Sequence, residues 1–222
     1  ILQYDGHYWE RIKSGANPAL TCGPNGTIFS GQYNDFGFLQ ETSGGIHFQS
    51  LLDSSMAAKK ISGVVRCGKK IFFSSEKNLY CFENKGNINL RRAYADSTSN
   101  PFSHQQQITR VRTFGGPVSL YELDHKHLFV YVQGGSLFLK KGKGFQQIIP
   151  PGHLPSPVIR IIEHKKQRMA VLENGTALLI RKDSPPATRS LLPVSHKDQT
   201  LTHAVALDDG VALATLSGGV IL

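Results

Sequence analysis

Pairs of short apolar strands, each introduced by a tight polar turn, recur along this chain of 222 residues and constrain its fold more than any other feature. Each pair has a short loop between its two alternating strands. Equivalent apolar positions at Ile28, Ile71, Leu128, Met169 and Val211 are separated by 43, 57, 41 and 42 residues. A period near 43 is typical of repeated four-stranded sheets, which take roughly 40–50 residues each.

The longer interval contains a polar run, residues 96–107, which is rich in Ser, Asn and Gln and which we interpret as a surface loop. One more apolar strand precedes each turn and a fourth strand follows each pair, so each repeat has strands A, B, C and D in chain order. The predicted repeats lie near residues 17–52, 61–92, 108–149, 157–192, and 201–222 completed by 1–14.

This pattern predicts an all-β fold, a single β-propeller domain with four-stranded blades and about five blades in the chain. The 22 glycines and 11 prolines suit many turns, and no amphipathic segment runs for about 12 residues unbroken, which argues against helices. Residues 218–222 read as the start of a strand C, and residues 1–12 as a strand C and a strand D. The termini are therefore expected to complete a fifth blade, and a fragment of a larger, seven-bladed propeller is the alternative.

The formal net charge of +9 permits binding to nucleic acid, anionic polysaccharide or a membrane surface, but selects none of them. We expect no nucleic-acid partner, because aromatic residues are not interleaved with the basic ones. No apolar run approaches the roughly 18 residues of a membrane span. Cys22, Cys67 and Cys81 lack the spacing of a zinc site and are interpreted as buried small residues, with a Cys67–Cys81 bridge as the alternative.

Three segments resemble the two-component regulator propeller repeat, in which a DG..W..I strand leads to a G.I..G....G strand pair. They are residues 4–12 (YDGHYWERI), 25–31 (NGTIFSG) and 34–39 (NDFGFL), and residues 207–220 are similar. The third and fourth repeats lack the Asp-Gly turn of that pattern. Such repeats form the sensor regions of bacterial hybrid sensor kinases and of triple-tyrosine regulators.

The resemblance implies a non-catalytic sensing module, located in the periplasm or otherwise outside the cytoplasm, that binds a carbohydrate-like nutrient. It implies no cofactor, and it allows a homodimer formed through the parent protein. A five-bladed glycoside hydrolase is one alternative, but Glu122, Glu163 and Asp208 lie near A–B turns, away from a shared funnel site. The other alternative is a protein-interaction scaffold that uses a basic face.

In a propeller the B–C loops share one face, and here they carry amides, carboxylates and an aromatic ring that suit a sugar. The predicted ligand site takes from these loops Gln32, Tyr33, Asn34, Asp35, Gln133, Glu173 and Asn174. On or near inner strands, four arginines are predicted to meet an acidic group of the ligand, and they are Arg66, Arg110, Arg112 and Arg160. Ordinary turn chemistry for the amides and pairing between blades for the arginines are the alternatives.

The A–B and C–D turns share the opposite face and are rich in lysine, notably at Lys69, Lys70, Lys140, Lys141, Lys143, Lys165 and Lys166. They predict an electropositive surface, although lysine is also common in solvated turns. The Asp124-His125-Lys126-His127 turn is not expected to bind a metal, because a lysine between the histidines opposes a cation. Since GxSxG, HExxH and P-loop motifs are absent, no catalytic residue is predicted.

Overall fold

The computed structural model describes residues 2–4, 9–11, 19–24, 26–42, 45–52, 60–84, 106–181, 187–192 and 198–222. Within these ranges the chain forms 21 β-strands joined by turns, and the all-β expectation is confirmed. Across the same residues we find no helix with the length and apolar character needed to cross a bilayer.

The chain divides into two compact units, residues 1–120 and residues 121–222, where the sequence predicted a single domain. The N-terminal unit begins with an antiparallel hairpin of β1 (Leu2–Tyr4) and β2 (Trp9–Arg11). Its first sheet consists of β3 (Ala19–Cys22), β4 (Ile28–Gly31), β5 (Phe36–Thr42) and β6 (Gly45–Ser50). Its second sheet consists of β7 (Ile61–Cys67), β8 (Lys70–Ser75), β9 (Asn78–Asn84) and β10 (Gln106–Thr113).

Three further sheets follow, and the boundary between the units falls within the first strand of the third sheet. The third sheet consists of β11 (Val118–Leu123), β12 (His127–Val132), β13 (Ser136–Lys141) and β14 (Gly144–Ile149). The fourth consists of β15 (Val158–His164), β16 (Gln167–Leu172), β17 (Thr176–Ile180) and β18 (Ala187–Ser190). The fifth consists of β19 (Leu201–Ala206), β20 (Val211–Thr215) and β21 (Gly219–Ile221).

Every one of these five sheets is an antiparallel meander in which neighbours in the sheet are neighbours in the chain. We keep the names A to D for the strands of a sheet in chain order. The A–B end of a sheet carries its A–B and C–D turns, and the B–C end carries its B–C loop. In the described residues the fifth sheet has strands A to C, and its completion by residues 1–14 stays a prediction.

The second sheet takes its strand D from Gln106–Thr113, which pairs with β9 along its length. The predicted repeat boundary near residue 92 is therefore wrong, and the third sheet begins at Val118 rather than near residue 108. The end of that predicted repeat, residues 85–92, lies outside the described residues. The last two residues of the polar run, Gln106 and Gln107, are paired in β10, so the surface-loop prediction is wrong at these two positions, and residues 96–105 lie outside the described residues.

Three strands A share a β-bulge at their second residue, a feature that the apolar pattern does not reveal. The register shifts between Ile61 and Gly63 in β7, and equivalent shifts occur near the start of β15 and β19. A bulge increases the local twist of its strand. In β7 the bulged Ser62 hydroxyl donates a hydrogen bond to the carbonyl oxygen of Val118 over 2.9 Å.

The core of the N-terminal unit is formed by aromatic side chains from the facing first and second sheets. Phe36 stacks on Phe73 with ring centroids 4.5 Å apart, and Phe29 lies 5.4 Å from Phe82. All four side chains are buried, and each contributes roughly 1.5–3 kcal/mol by leaving water. Gly31 faces Val64 so closely that a Cβ would lie 2.8 Å from its Cγ2 atom, so this position requires glycine.

The core of the C-terminal unit lies on both faces of the fourth sheet. One face packs against the third sheet through Phe129, Leu137 and Ala170, among others. The opposite face packs against the fifth sheet through Met169, Val171 and other apolar side chains. Burial on both faces explains why β16 reads as a continuous apolar run rather than an alternating one.

None of the three cysteines takes part in a disulfide bond, so the Cys67–Cys81 bridge is not formed. Cys81 is buried, as the sequence predicted. Cys22 is exposed, and the expectation of burial is wrong for this residue because it ends strand β3 beside the A–B turn of the first sheet.

Candidate functional site

The B–C loop of the first sheet, residues 32–35, is a structured turn that leaves one aromatic ring exposed. Asp35 Oδ1 accepts hydrogen bonds from the amide of Phe36 and the hydroxyl of Ser50, each over 2.7 Å. Asn34 has a φ of 61°, a left-handed conformation that asparagine tolerates well. Asp35 thus holds the loop, whereas Tyr33 is 70% exposed and available to a ligand.

The B–C end of the C-terminal unit brings predicted residues from neighbouring loops to the same end of their sheets. Gln133 is exposed in the loop between β12 and β13, and Glu173 and Asn174 follow β16. Asn174 Oδ1 accepts from the amide of Thr176 over 3.1 Å, so this side chain stabilises its own turn. Glu173 accepts the amide of Leu201 through its backbone carbonyl over 2.8 Å, which leaves its carboxylate for other contacts.

A buried tyrosine that the sequence did not single out lies beside Glu173. Tyr131, near the end of β12, is 7% exposed. Burial raises the pKa of its phenol above the usual value, and the negative charge of Glu173 raises it further. The phenol therefore stays protonated and can donate a hydrogen bond at this end of the sheet.

The four predicted arginines do not form one cluster. Arg66 lies near the A–B end of β7, where its Nε donates to the carbonyl oxygen of Gly68 over 3.0 Å, so it does not lie with the B–C loops. Arg110 and Arg112 lie on β10, the outer strand of the second sheet, so their predicted place on an inner strand is wrong. Arg112 instead lies 5.0 Å from the ring centroid of Phe114. Arg160 does lie on a strand A, where it is exposed.

Lysines at the A–B ends differ in their surroundings. Lys70 Nζ forms an ion pair with Glu83 Oε2 over 2.9 Å. The hydrogen bond to Glu83 raises the pKa of Lys70, and burial, which acts in the opposite direction, is the smaller effect. Lys140 donates to the carbonyl oxygen of Gly142 over 2.6 Å. Part of the predicted positive charge is therefore engaged locally, and an electropositive face as a whole stays a prediction.

A charged row crosses the A–B end of the fourth sheet, where Glu163 on β15 is paired in register with Arg168 on β16. Arg168 Nε donates to Glu163 Oε2 over 3.0 Å. Arg168 Nη2 lies 3.1 Å from Nε2 of His127, on β12 of the third sheet. The guanidinium is thus fixed by partners on two neighbouring sheets.

A cleft of about 350 Å³ opens beside this row. Its charged lining consists of Glu163, Lys166, Arg168 and Arg181, and Gln167 and two apolar side chains complete it. The volume lies at the lower end of the roughly 300–1,000 Å³ usual for small-molecule sites. Three cations and one carboxylate make the lining positive.

Part of the cleft lining could have been predicted from the sequence by turn geometry. Lys165 and Lys166 are the two central residues of the A–B turn, with φ values of 50° and 62°. A two-residue turn of this kind places Glu163 directly across from Arg168. Glu163 and Lys166 were placed at A–B turns from the sequence, whereas Arg168, which this turn sets opposite Glu163, was not singled out.

Carboxylates near the A–B turns are occupied by their own sheets. Glu122 Oε1 accepts from the amide of His125 over 2.6 Å and lies 2.9 Å from its Nδ1 atom. Glu163 binds Arg168, as described above. Within the described residues no group of three His, Cys, Asp or Glu side chains is arranged to hold a metal ion.

No protein-family model matches the chain, and no curated protein matches it in sequence. Solved structures do resemble it. The extracellular domain of a protein assigned to a hybrid two-component system of B. thetaiotaomicron superposes on 96% of the chain with a TM-score of 0.64 and 10% identity. BBS1N, solved in complex with ARL6DN, covers 96% with a TM-score of 0.57 and 9% identity.

YCF48 from Cyanidioschyzon merolae also covers 96% of the chain, with a TM-score of 0.52 and 10% identity. The chain spans 28% of the B. thetaiotaomicron domain, 65% of BBS1N and 84% of YCF48. At such identities the likeness shows the fold alone, and that fold is the β-propeller type that the sequence predicted. The number of blades stays a prediction.

Proposed function

We propose that this chain is a ligand-sensing propeller region of a bacterial two-component or transcriptional regulator, located outside the cytoplasm. The observation that carries this proposal is the superposition of 96% of the chain on the extracellular domain of a hybrid two-component system. The repeat-like motifs at residues 4–12 and 25–31 support the same class from the sequence alone. Signal output belongs to other modules of the parent protein, through which a homodimer would form.

The proposed ligand is a carbohydrate-like nutrient, bound without catalysis at the B–C ends of the sheets. Tyr33 is the aromatic residue best exposed there, and an aromatic face suits the apolar face of a sugar ring. In the C-terminal unit, Gln133, Glu173 and the protonated Tyr131 offer donors and acceptors for hydroxyl groups. Arg160, exposed on its strand A, is the arginine available for an acidic sugar.

Binding without chemistry is favoured over glycoside hydrolysis by the carboxylates. Hydrolysis requires two carboxyl groups that face each other across the substrate, roughly 5–9 Å apart. Glu122 and Glu163 are each engaged by a basic side chain at an A–B end, away from the proposed ligand site.

A thermal-shift screen with malto-, xylo- and acidic galacturonate oligosaccharides tests the proposal. A ligand at about 100 times its Kd should raise the midpoint by about 5–10 °C. Tyr33→Ala should weaken that binding by about tenfold, whereas Lys69→Ala, at an A–B end, should leave it unchanged. An unchanged midpoint with every neutral and acidic oligosaccharide would contradict the carbohydrate proposal.

A further inference from the structure

We propose that the cleft at the A–B end of the fourth sheet binds a small molecule through an anionic group, namely a phosphate, sulfate or carboxylate. This site lies at the opposite end of the sheet from the proposed sugar site and does not depend on it. Its cations are Lys166, Arg168 and Arg181. No function assigned above uses these three side chains.

The charge balance of the cleft favours an anion. Its one carboxylate, Glu163, already pairs with Arg168. Within the described part of the chain, no ion pair joins Lys166 or Arg181 to a carboxylate. Asp208 and Asp209, in the A–B turn of the fifth sheet, do not line the cleft. Lys166 and Arg181 therefore line the cleft without an ion-pair partner among the described residues.

The Arg168 guanidinium is ordered before any ligand arrives. Its Nε donates a hydrogen bond to Glu163 Oε2, and its Nη2 donates one to His127 Nε2. The Arg168 side chain is 32% exposed. Because its orientation is already fixed, less conformational entropy is lost when an anion binds nearby. The apolar side chains of Leu179 and Ile180 also line the cleft and lower the local dielectric, which strengthens the attraction to an anion.

The turn that presents Lys166 departs from the sequence that its backbone prefers. Both Lys165 and Lys166 adopt left-handed φ values. A turn of this type strongly favours Asn-Gly, and the left-handed conformation costs roughly 1–2 kcal/mol per ordinary residue. Local sequence that opposes local conformation is expected where a side chain serves a site rather than stability.

Isothermal titration of the intact chain at low ionic strength tests this inference, with inorganic phosphate, sulfate, glucuronate and neutral glucose as probes. We expect one or more of the anions to bind and glucose not to bind at this cleft. The double variant K166Q/R181Q should weaken anion binding by about tenfold or more. The control K141Q/K143Q removes two exposed lysines from the C–D turn of the third sheet, and should change affinity by less than about twofold.

A second variant keeps the test decisive if K166Q/R181Q folds poorly. K165N/K166G installs the preferred turn residues and removes the Lys166 cation, so it should fold at least as well and still lose affinity. Equal weakening by the control pair, unchanged binding in both cleft variants, or no anion binding up to about 10 mM would overturn the inference. The relative affinities for phosphate, sulfate and glucuronate identify which anionic group the cleft prefers.

Discussion

Arg168 Nη2 lies 3.1 Å from Nε2 of His127, so a guanidinium of the fourth sheet is hydrogen-bonded to an imidazole of the third. Because the guanidinium is the donor, Nε2 is the acceptor and the ring hydrogen lies on Nδ1. Nδ1 is buried and has no hydrogen-bond partner among the described residues. The Arg168 side chain therefore links two sheets within the C-terminal unit.

Replacing this arginine should destabilise the C-terminal unit. Arg168→Leu leaves Glu163 without its cation and His127 without its donor, and we expect a loss of about 1–2 kcal/mol, because both ion-pair partners are a third exposed. Urea denaturation measures the loss. Arg160→Leu, an exposed arginine on the same sheet, serves as the control and should cost less than about 0.5 kcal/mol. Equal losses in the two variants would contradict the linking role.

Gly31 should not tolerate a methyl group. An added Cβ would collide with Ile61 and lie 2.8 Å from Val64 Cγ2, so Gly31→Ala must push the second sheet away from the first. We expect a destabilisation of about 2–3 kcal/mol by chemical denaturation. Gly115→Ala, at an exposed position where a Cβ meets no atom within 4 Å, is the matched substitution and should be nearly neutral. A neutral Gly31→Ala would mean that these two sheets do not pack as described.

Tyr131 should make the fold sensitive to alkaline pH. Because its pKa is raised in the folded state, its contribution to stability is complete below the unfolded pKa of about 10 and is lost as the pH rises through the folded value. Tyr131→Phe should therefore lose less stability between about pH 8 and about pH 11 than the wild type, as measured by urea midpoints. Tyr33→Phe, at an exposed ring, should behave like the wild type. Identical alkaline losses in all three proteins would refute the buried phenol.

The Lys165-Lys166 turn should be improvable. K165N/K166G relieves two left-handed lysines, and we expect a gain of about 1 kcal/mol and a higher melting temperature. The A–B turn of the third sheet has the same backbone at Asp124 and His125, but there Glu122 binds the turn and offsets part of the cost. Substituting Asn and Gly at positions 124 and 125 should therefore increase the stability by less. A lower melting temperature for K165N/K166G would contradict the assigned turn.

The strand pairs and their turns were predictable because a two-residue side-chain period and tight turns are local properties of the sequence. The position of β10 was not, since counting residues cannot tell whether a polar run lies inside a repeat or between repeats. Arg110 was misplaced for that reason. The bulge at Ser62 was also invisible, because one unpaired residue leaves the apolar alternation nearly unchanged.

The loop residues show a similar limit on predicting a site. The positions of Tyr33 and Glu173 in B–C loops followed from the order of strands and turns. That Asp35 and Asn174 hold their own turns depends on hydrogen bonds to Ser50 and Thr176, which the amino-acid types do not specify. The turn-chemistry alternative therefore accounts for these two residues, while Tyr33 remains available.

Amide hydrogen exchange with and without saturating oligosaccharide tests the proposed function most directly. The probes are the malto-, xylo- and galacturonate oligosaccharides of the thermal screen. We expect slower exchange in the B–C loops, at residues 32–35 and 173–175, and little change at the A–B turn of residues 165–166. Unchanged exchange in these loops with every probe, or protection confined to the A–B turns, would contradict a sugar-sensing site at the B–C ends.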